Sequence, residues 1–208
     1  MKYLSVFLIY ISILFLAVPA FAQQTNNALV QEIKHYQDSL ENDFRDRDIS
    51  PLLEEDFNSF KGLEFYPIDT KYYIIADFKR TPNEKPFLMP TTIERAQKPV
   101  YEKYGEVSFS LDGRDIVLPV FQSHSLREQE EWKSYLFLPF RDKTNGKETY
   151  GGGRYLELWI TGEDTIVVDF NRAYNPYCAY NYNYSCPIVP KENIIALPIY
   201  AGEKNFSK

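Results

Sequence analysis

The chain has 208 residues and a formal net charge of −6, with 29 acidic side chains against 23 lysines and arginines. That balance excludes nucleic acid or an anionic membrane surface as the expected partner, because both are held mainly by clustered cations. Two cysteines, two histidines and no phosphate-loop or dinucleotide signature leave no metal or cofactor motif to build on.

The first residues, MKYLSVFLIYISILFLAVPAFAQQ, place one lysine before a long apolar run that ends in Ala20-Phe21-Ala22. This is the plan of a secretory signal peptide over residues 1–22, with small residues at the cleavage site. The mature chain is then a single domain over residues 23–208, exported to the periplasm or the cell exterior. No second long apolar run follows, so no stable membrane insertion is expected after the signal is removed. The sequence says nothing about oligomeric state.

Leu29, Val30, Ile33, Tyr36, Leu40 and Phe44 recur at three- and four-residue spacing among polar residues, which predicts an amphipathic helix. Ser50 and Pro51 suit a helix start, and Glu54, Glu55 and Asp56 favour the positive end of its dipole. A second helix is therefore expected from Pro51 to about Phe60, ended by Gly62. From there the apolar period becomes two. Strands are predicted over Tyr72–Phe78, Val107–Leu111, Ile116–Phe121, Tyr135–Phe140, Tyr155–Ile160, Thr165–Phe170 and Ile194–Tyr200. Asp112-Gly113 is a hairpin turn pair. Thr161–Asp164 reads as the loop of a second hairpin, and Pro139 marks an edge or bulge. The predicted fold is mainly β (α+β): an antiparallel sandwich or partly closed barrel of about eight strands, with one or two N-terminal helices.

Two segments concentrate unusual chemistry. In Leu136–Leu156, LFLPFRDKTNGKETYGGGRYL, a strand leads through Arg141, Asp142, Thr149 and Tyr150 to three glycines and Arg154. The glycines permit positive φ and close approach. The segment is either a loop that sets guanidinium and carboxyl groups around one ligand, or a buried network of Arg–carboxylate pairs. In Asp169–Pro187, DFNRAYNPYCAYNYNYSCP, five tyrosines and four asparagines surround both cysteines. Asp169, Asn171 and Arg172 lead into Asn175 and Tyr180 within a stretch too constrained for a casual loop. In an exported chain, Cys178 and Cys186 point to one disulfide. A metal site would need two further ligands, and His35 and His124 are the only histidines.

These two strings, with Ser50-Pro51-Leu52, Gly62-Leu63, Pro67, Asp69, Glu192-Asn193 and Ala201-Gly202-Glu203-Lys204, are similar to a bacterial family catalogued only as a domain of unknown function, DUF1684. The resemblance spans about Phe44 to Lys204. It implies no activity. Similar chains without an export signal also carry the cysteine pair, which leaves a packing or ligand role open for the thiols.

If Tyr155–Ile160 and Thr165–Phe170 form a hairpin, Arg154 lies beside Asp169 to Asn171. One composite ligand site is then expected from Arg141, Asp142, Thr149, Tyr150, Arg154, Asp169, Asn171, Arg172, Asn175 and Tyr180. Its arginines suit a small anionic ligand and its tyrosines a polyhydroxylated one. A small-ligand-binding module is the first reading. A carboxylate-based hydrolase using the same residues, or a structural protein in which they only stabilise the fold, are the alternatives.

Overall fold

The computed structural model describes residues 26–206. The expected signal peptide, residues 1–22, lies outside them. Helix α1 runs over residues 26–45 and buries Ile33 and Phe44 of the expected apolar stripe, together with Gln37, a polar residue outside it. The second helix is much shorter than expected: α2 is Glu54–Phe57, and its N-cap residue, Leu53, makes no side-chain cap. Ser50 instead serves the end of α1. Its hydroxyl donates to the Phe44 carbonyl at 2.8 Å, one of the carbonyls a helix terminus leaves orphaned.

Seven strands follow: β1 Tyr73–Arg80, β2 Phe87–Leu88, β3 Val100–Leu111, β4 Arg114–Ser123, β5 Tyr135–Phe140, β6 Arg154–Trp159 and β7 Thr165–Asp169. They form one antiparallel sheet in the order β6-β5-β4-β3-β1-β7, with β2 paired to β3. The fold is mainly β, as predicted. The sheet curls into a half-barrel, so that Leu156 and Leu158 of β6 share one core with Ile166 and Val168 of β7.

The strands β6 and β7 are not a hairpin. Each is a margin of the sheet, paired to β5 and to β1 respectively. A gap of about 260 Å³ separates them, lined by Leu158, Trp159, Ile166 and Val167 among others. Consecutive strands with a short loop usually pair. Here the curl brings the margins close without bringing their ladders into register.

Two further departures share a cause. Strand β5 is interior, yet it meets β4 in register only at Phe121 and Phe137. Pro119 and Pro139 bring no N–H to that seam. The Asn193 side-chain amide fills it, donating to both proline carbonyls at 2.9 and 2.7 Å. The strand predicted over Ile194–Tyr200 does not form beyond a single bridge between Arg141 and Ile194. Its carbonyl of Ile199 turns instead to a buried guanidinium.

Side-chain facing follows the pleat, with one correction. Between Lys103 and Gly105 the register of β3 against β4 shifts by one residue. Such a bulge reverses facing. Val107, Phe109 and Leu111 therefore enter the main core, while Tyr101 joins a second cluster with Phe121, Tyr135, Phe137 and Tyr155. That second, ring-rich face carries the candidate site.

Candidate functional site

The ten residues expected to form one pocket fall into several separate arrangements. The largest is sealed inside the protein. Arg154 and Asp142 form an ion pair at 2.9 Å with both side chains fully buried. The guanidinium also donates to the carbonyls of Ile199 at 3.0 Å, Glu203 at 3.2 Å and Ala201. The other oxygen of Asp142 accepts from the Thr144 amide and hydroxyl and from the Ile199 amide, at 2.8, 2.6 and 3.2 Å. Thr149 completes the group through Thr144 at 2.7 Å. Both terminal nitrogens of the Arg154 guanidinium are taken by partners within the chain, and only its buried Nε has none.

Gly153 explains the glycine run. Its φ is +102°, and a Cβ there would stand 2.6 Å from the Phe140 carbonyl and 2.7 Å from Val189. What approaches closely is the protein's own chain.

Asn175 and Tyr180 belong to a neighbouring network around Glu203. The Tyr180 hydroxyl donates to the Glu203 carboxylate, and the Asn175 amide does so at 2.8 Å. Glu203 is buried, and burial raises its pKa to about 7 against the hydrogen bonds that pull it down. Glu203 stands in one of the strings that carry the family resemblance, but nothing in its sequence neighbourhood marks it as a member of this network.

Asp169 and Asn171 work elsewhere again. Asp169 accepts from the Asn171 amide and side chain, and Asn171 pairs with the Asp69 backbone in both directions at 3.0 Å. Gln37 of α1 donates to the Asn171 carbonyl at 2.9 Å, so the group docks the helix. Arg172 faces outward to Glu32 at 2.5 Å and back to Asp169 at 3.4 Å. Arg154 and Asp169 therefore share no partner, because the hairpin that was to join them is absent.

Arg141 and Tyr150 line a small cavity of about 150 Å³ with Thr92 and Cys178. The expected disulfide is not formed: both cysteines are free thiols, and the Cys186 sulfur accepts from the Cys178 amide at 3.1 Å. The adjacent Cys186 thiol pulls the Cys178 pKa down to about 6, with help from Tyr150, while Cys186 is pushed up by the same neighbour. Cys178 is the more exposed of the two.

A wide concavity lies on the ring-rich face and includes none of the ten. It is a cleft of about 580 Å³ between α1, strands β3, β5 and β6, and the segment from Tyr174 to Pro187. Tyr135 and Phe137 of β5 and Tyr155 of β6 form its floor, because residues of one parity in paired strands share a face. Trp132, Tyr174, Tyr36 and Tyr177 supply walls. Ring pairs are set nearly perpendicular: Trp132 and Tyr135 at 84° and 5.5 Å, Tyr155 and Tyr174 at 90° and 5.9 Å. Tyr155 donates to the Pro187 carbonyl, which fixes its ring.

One acid rises from this floor. Glu157 stands opposite Phe137 and between Tyr155 and Trp159 along β6. It accepts from the Tyr174 hydroxyl at 3.3 Å, and partial desolvation raises its pKa. The sequence did carry a signal for this site. In RYLELW an acid interrupts the aromatic side of an alternating strand, where a plain solvated face would hold other polar residues.

Fold and site together define a class: a curled antiparallel sheet locked by a buried arginine network on one side and bearing an aromatic cleft on the other. The chain belongs to the family described as Protein of unknown function (DUF1684), whose model matches residues 58–204, more than half of its length. The match takes in the sheet and both unusual segments and leaves out α1. The chain is also similar to the solution NMR structure of the uncharacterized protein from gene locus rrnAC0354 of Haloarcula marismortui. Identity is 30%, the TM-score 0.67, and the likeness covers 87% of this chain and 96% of that one. No curated protein matches the chain.

Proposed function

We propose that the protein is a small-ligand-binding module and that its site is the aromatic cleft. The observation that carries this reading is a cleft of about 580 Å³, within the range of small-molecule sites, walled by aromatic rings and lined by two carboxyl groups, Asp43 and Glu157. Arg154 and Asp142, first expected to bind, are read as scaffold: they are buried, paired with each other and hold the strandless C-terminal segment in place. The expectation of an anionic ligand rested on the arginines, none of which lines this cleft.

Native mass spectrometry of the purified protein, before and after denaturation, tests the reading together with substitution of the cleft. A retained small molecule, lost in Trp132→Ala and kept in Arg141→Ala, is the expected result. Ligand loss in Arg141→Ala with retention in Trp132→Ala would move the site to the small cavity beside Cys178.

A second reading draws on Glu157 itself. A carboxyl with a raised pKa in a cleft is suited to general-acid work, and Asp43 is the other acid lining the same space. Turnover of a bound compound that ceases in Glu157→Gln while binding persists would establish a hydrolase. Export, with residues 1–22 removed, belongs to the same proposal. The N-terminal sequence of the protein recovered from its native compartment tests it, with Gln23 the expected first residue.

A further inference from the structure

Resting on the cleft reading above, we infer that the ligand is an organic cation, a quaternary or protonated alkyl ammonium, held against the ring faces with Glu157 as its counter-charge. The lining of the cleft contains no lysine and no arginine, and its two charged residues, Asp43 and Glu157, are both acids. An anion would find no donor of opposite charge there. A neutral apolar ligand would have no use for the acids.

Strand pairing gives Glu157 an unusual setting. Its cross-strand neighbour is Phe137, and its neighbours on the same face of β6 are Tyr155 and Trp159. The negative faces of aromatic rings attract cations and disfavour an adjacent carboxylate. Among the described residues Glu157 has no lysine or arginine partner, and its hydrogen-bond donor is the Tyr174 hydroxyl. Burial is what chiefly raises the pKa of Tyr36, Tyr135, Tyr174 and Tyr177, and the Glu157 charge adds to it in all four. The free protein thus carries, at the solvent-accessible side of the ring-walled cleft, a carboxylate with no cationic side chain paired to it among the described residues. A cation entering the cleft compensates that charge and meets ring faces set at right angles.

Arg172, which lines the gap between β6 and β7 together with Glu157, does not supply that compensation. Arg172 stacks on Tyr36 at 5.4 Å and is engaged by Glu32 and Asp169. The chain has only two tryptophans; Trp132 lines the cleft, and Trp159 stacks on it at 5.8 Å, so intrinsic fluorescence reports occupancy.

The test is a titration of the full chain at neutral pH, followed by tryptophan fluorescence and calorimetry. The probes are choline and phenyltrimethylammonium, neohexyl alcohol as the uncharged carbon isostere of choline, tert-butylacetate as an anion, and glucose as a neutral polyol. The ammonium probes are expected to bind at least about tenfold more tightly than the alcohol, and Glu157→Gln to remove that preference while leaving thermal stability unchanged. Equal binding of the alcohol, or tighter binding of tert-butylacetate or glucose, overturns the cation inference and leaves the cleft a ligand site. Binding of none of the probes in either measurement overturns the inference and the cleft reading together.

Discussion

Replacing Arg154 by methionine removes a side chain whose volume the core can refill but whose charge it cannot. Three costs follow. Asp142 is left as a buried carboxylate without its cation, which typically costs about 3–5 kcal/mol. The carbonyls of Ile199, Ala201 and Glu203 lose their shared donor, at about 1–3 kcal/mol each where water cannot replace it. The C-terminal segment then loses its main tether to the sheet. These terms overlap, so a floor of about 4 kcal/mol is the defensible figure, against a total stability of roughly 5–15 kcal/mol for a domain. A chain of this size should lose roughly 8–16 °C in Tm. Urea unfolding followed by far-UV circular dichroism measures the effect, with an unchanged slope confirming that the two states are comparable. Combining Arg154→Met with Asp142→Leu should recover part of the loss, because no lone charge remains. A single variant within about 1 kcal/mol of the parent would refute the reasoning and show that water or a rearranged tail satisfies the network.

Glu203 makes stability pH-dependent. Its pKa rises from 4.5 to about 7 on folding, so the fold holds its proton more tightly than the unfolded chain does. The protein is favoured with Glu203 protonated, loses on the order of 3 kcal/mol as pH climbs between those values, and changes no further above them. Thermal melts at about pH 5 and about pH 8 should show that loss in the parent and a smaller one in Glu203→Gln; identical slopes would sink the assignment. Gly153→Ala should destabilise by about 2–4 kcal/mol, combining strain at positive φ with overlap onto the Phe140 carbonyl and Val189. Gly146→Ala, also at positive φ but with open space around its Cβ, should cost only about 1 kcal/mol, so equal losses by chemical denaturation would contradict the steric account. Under reducing conditions at neutral pH, Cys178 should alkylate with iodoacetamide before Cys186, as read by peptide mass, because its thiol is both more exposed and closer to ionisation. Faster labelling of Cys186 would reverse that ordering of the pair.

Local chemistry carried far where it acted alone. Asp112-Gly113 dictates a turn because both residues take positive φ, at 49° and 71°, and the hairpin of β3 and β4 follows from it. Alternation placed β5, β6 and β7 to within about one residue of their observed limits, since a half-buried strand must segregate its two faces. It failed where a local rule met a non-local partner. Pro51 and three acids could not extend α2 when the Ser50 hydroxyl was drawn to the end of α1. Ile194–Tyr200 had strand composition but spent a carbonyl on Arg154.

The candidate site shows the same division. The sequence marked Arg154 and Asp142 as unusual, yet a guanidinium reads identically whether it faces a ligand or three backbone carbonyls from a distant segment. By itself, then, the sequence determined the β-rich architecture, the amphipathic α1 and the two segments on which the fold turns, because turn geometry, pleat and helical period are set by neighbours along the chain. Only the tertiary structure decided that β6 and β7 stay apart, that the arginine network is sealed, and that Glu157 stands among rings from six parts of the chain. Burial and convergence depend on which surfaces meet, and no residue carries that information alone.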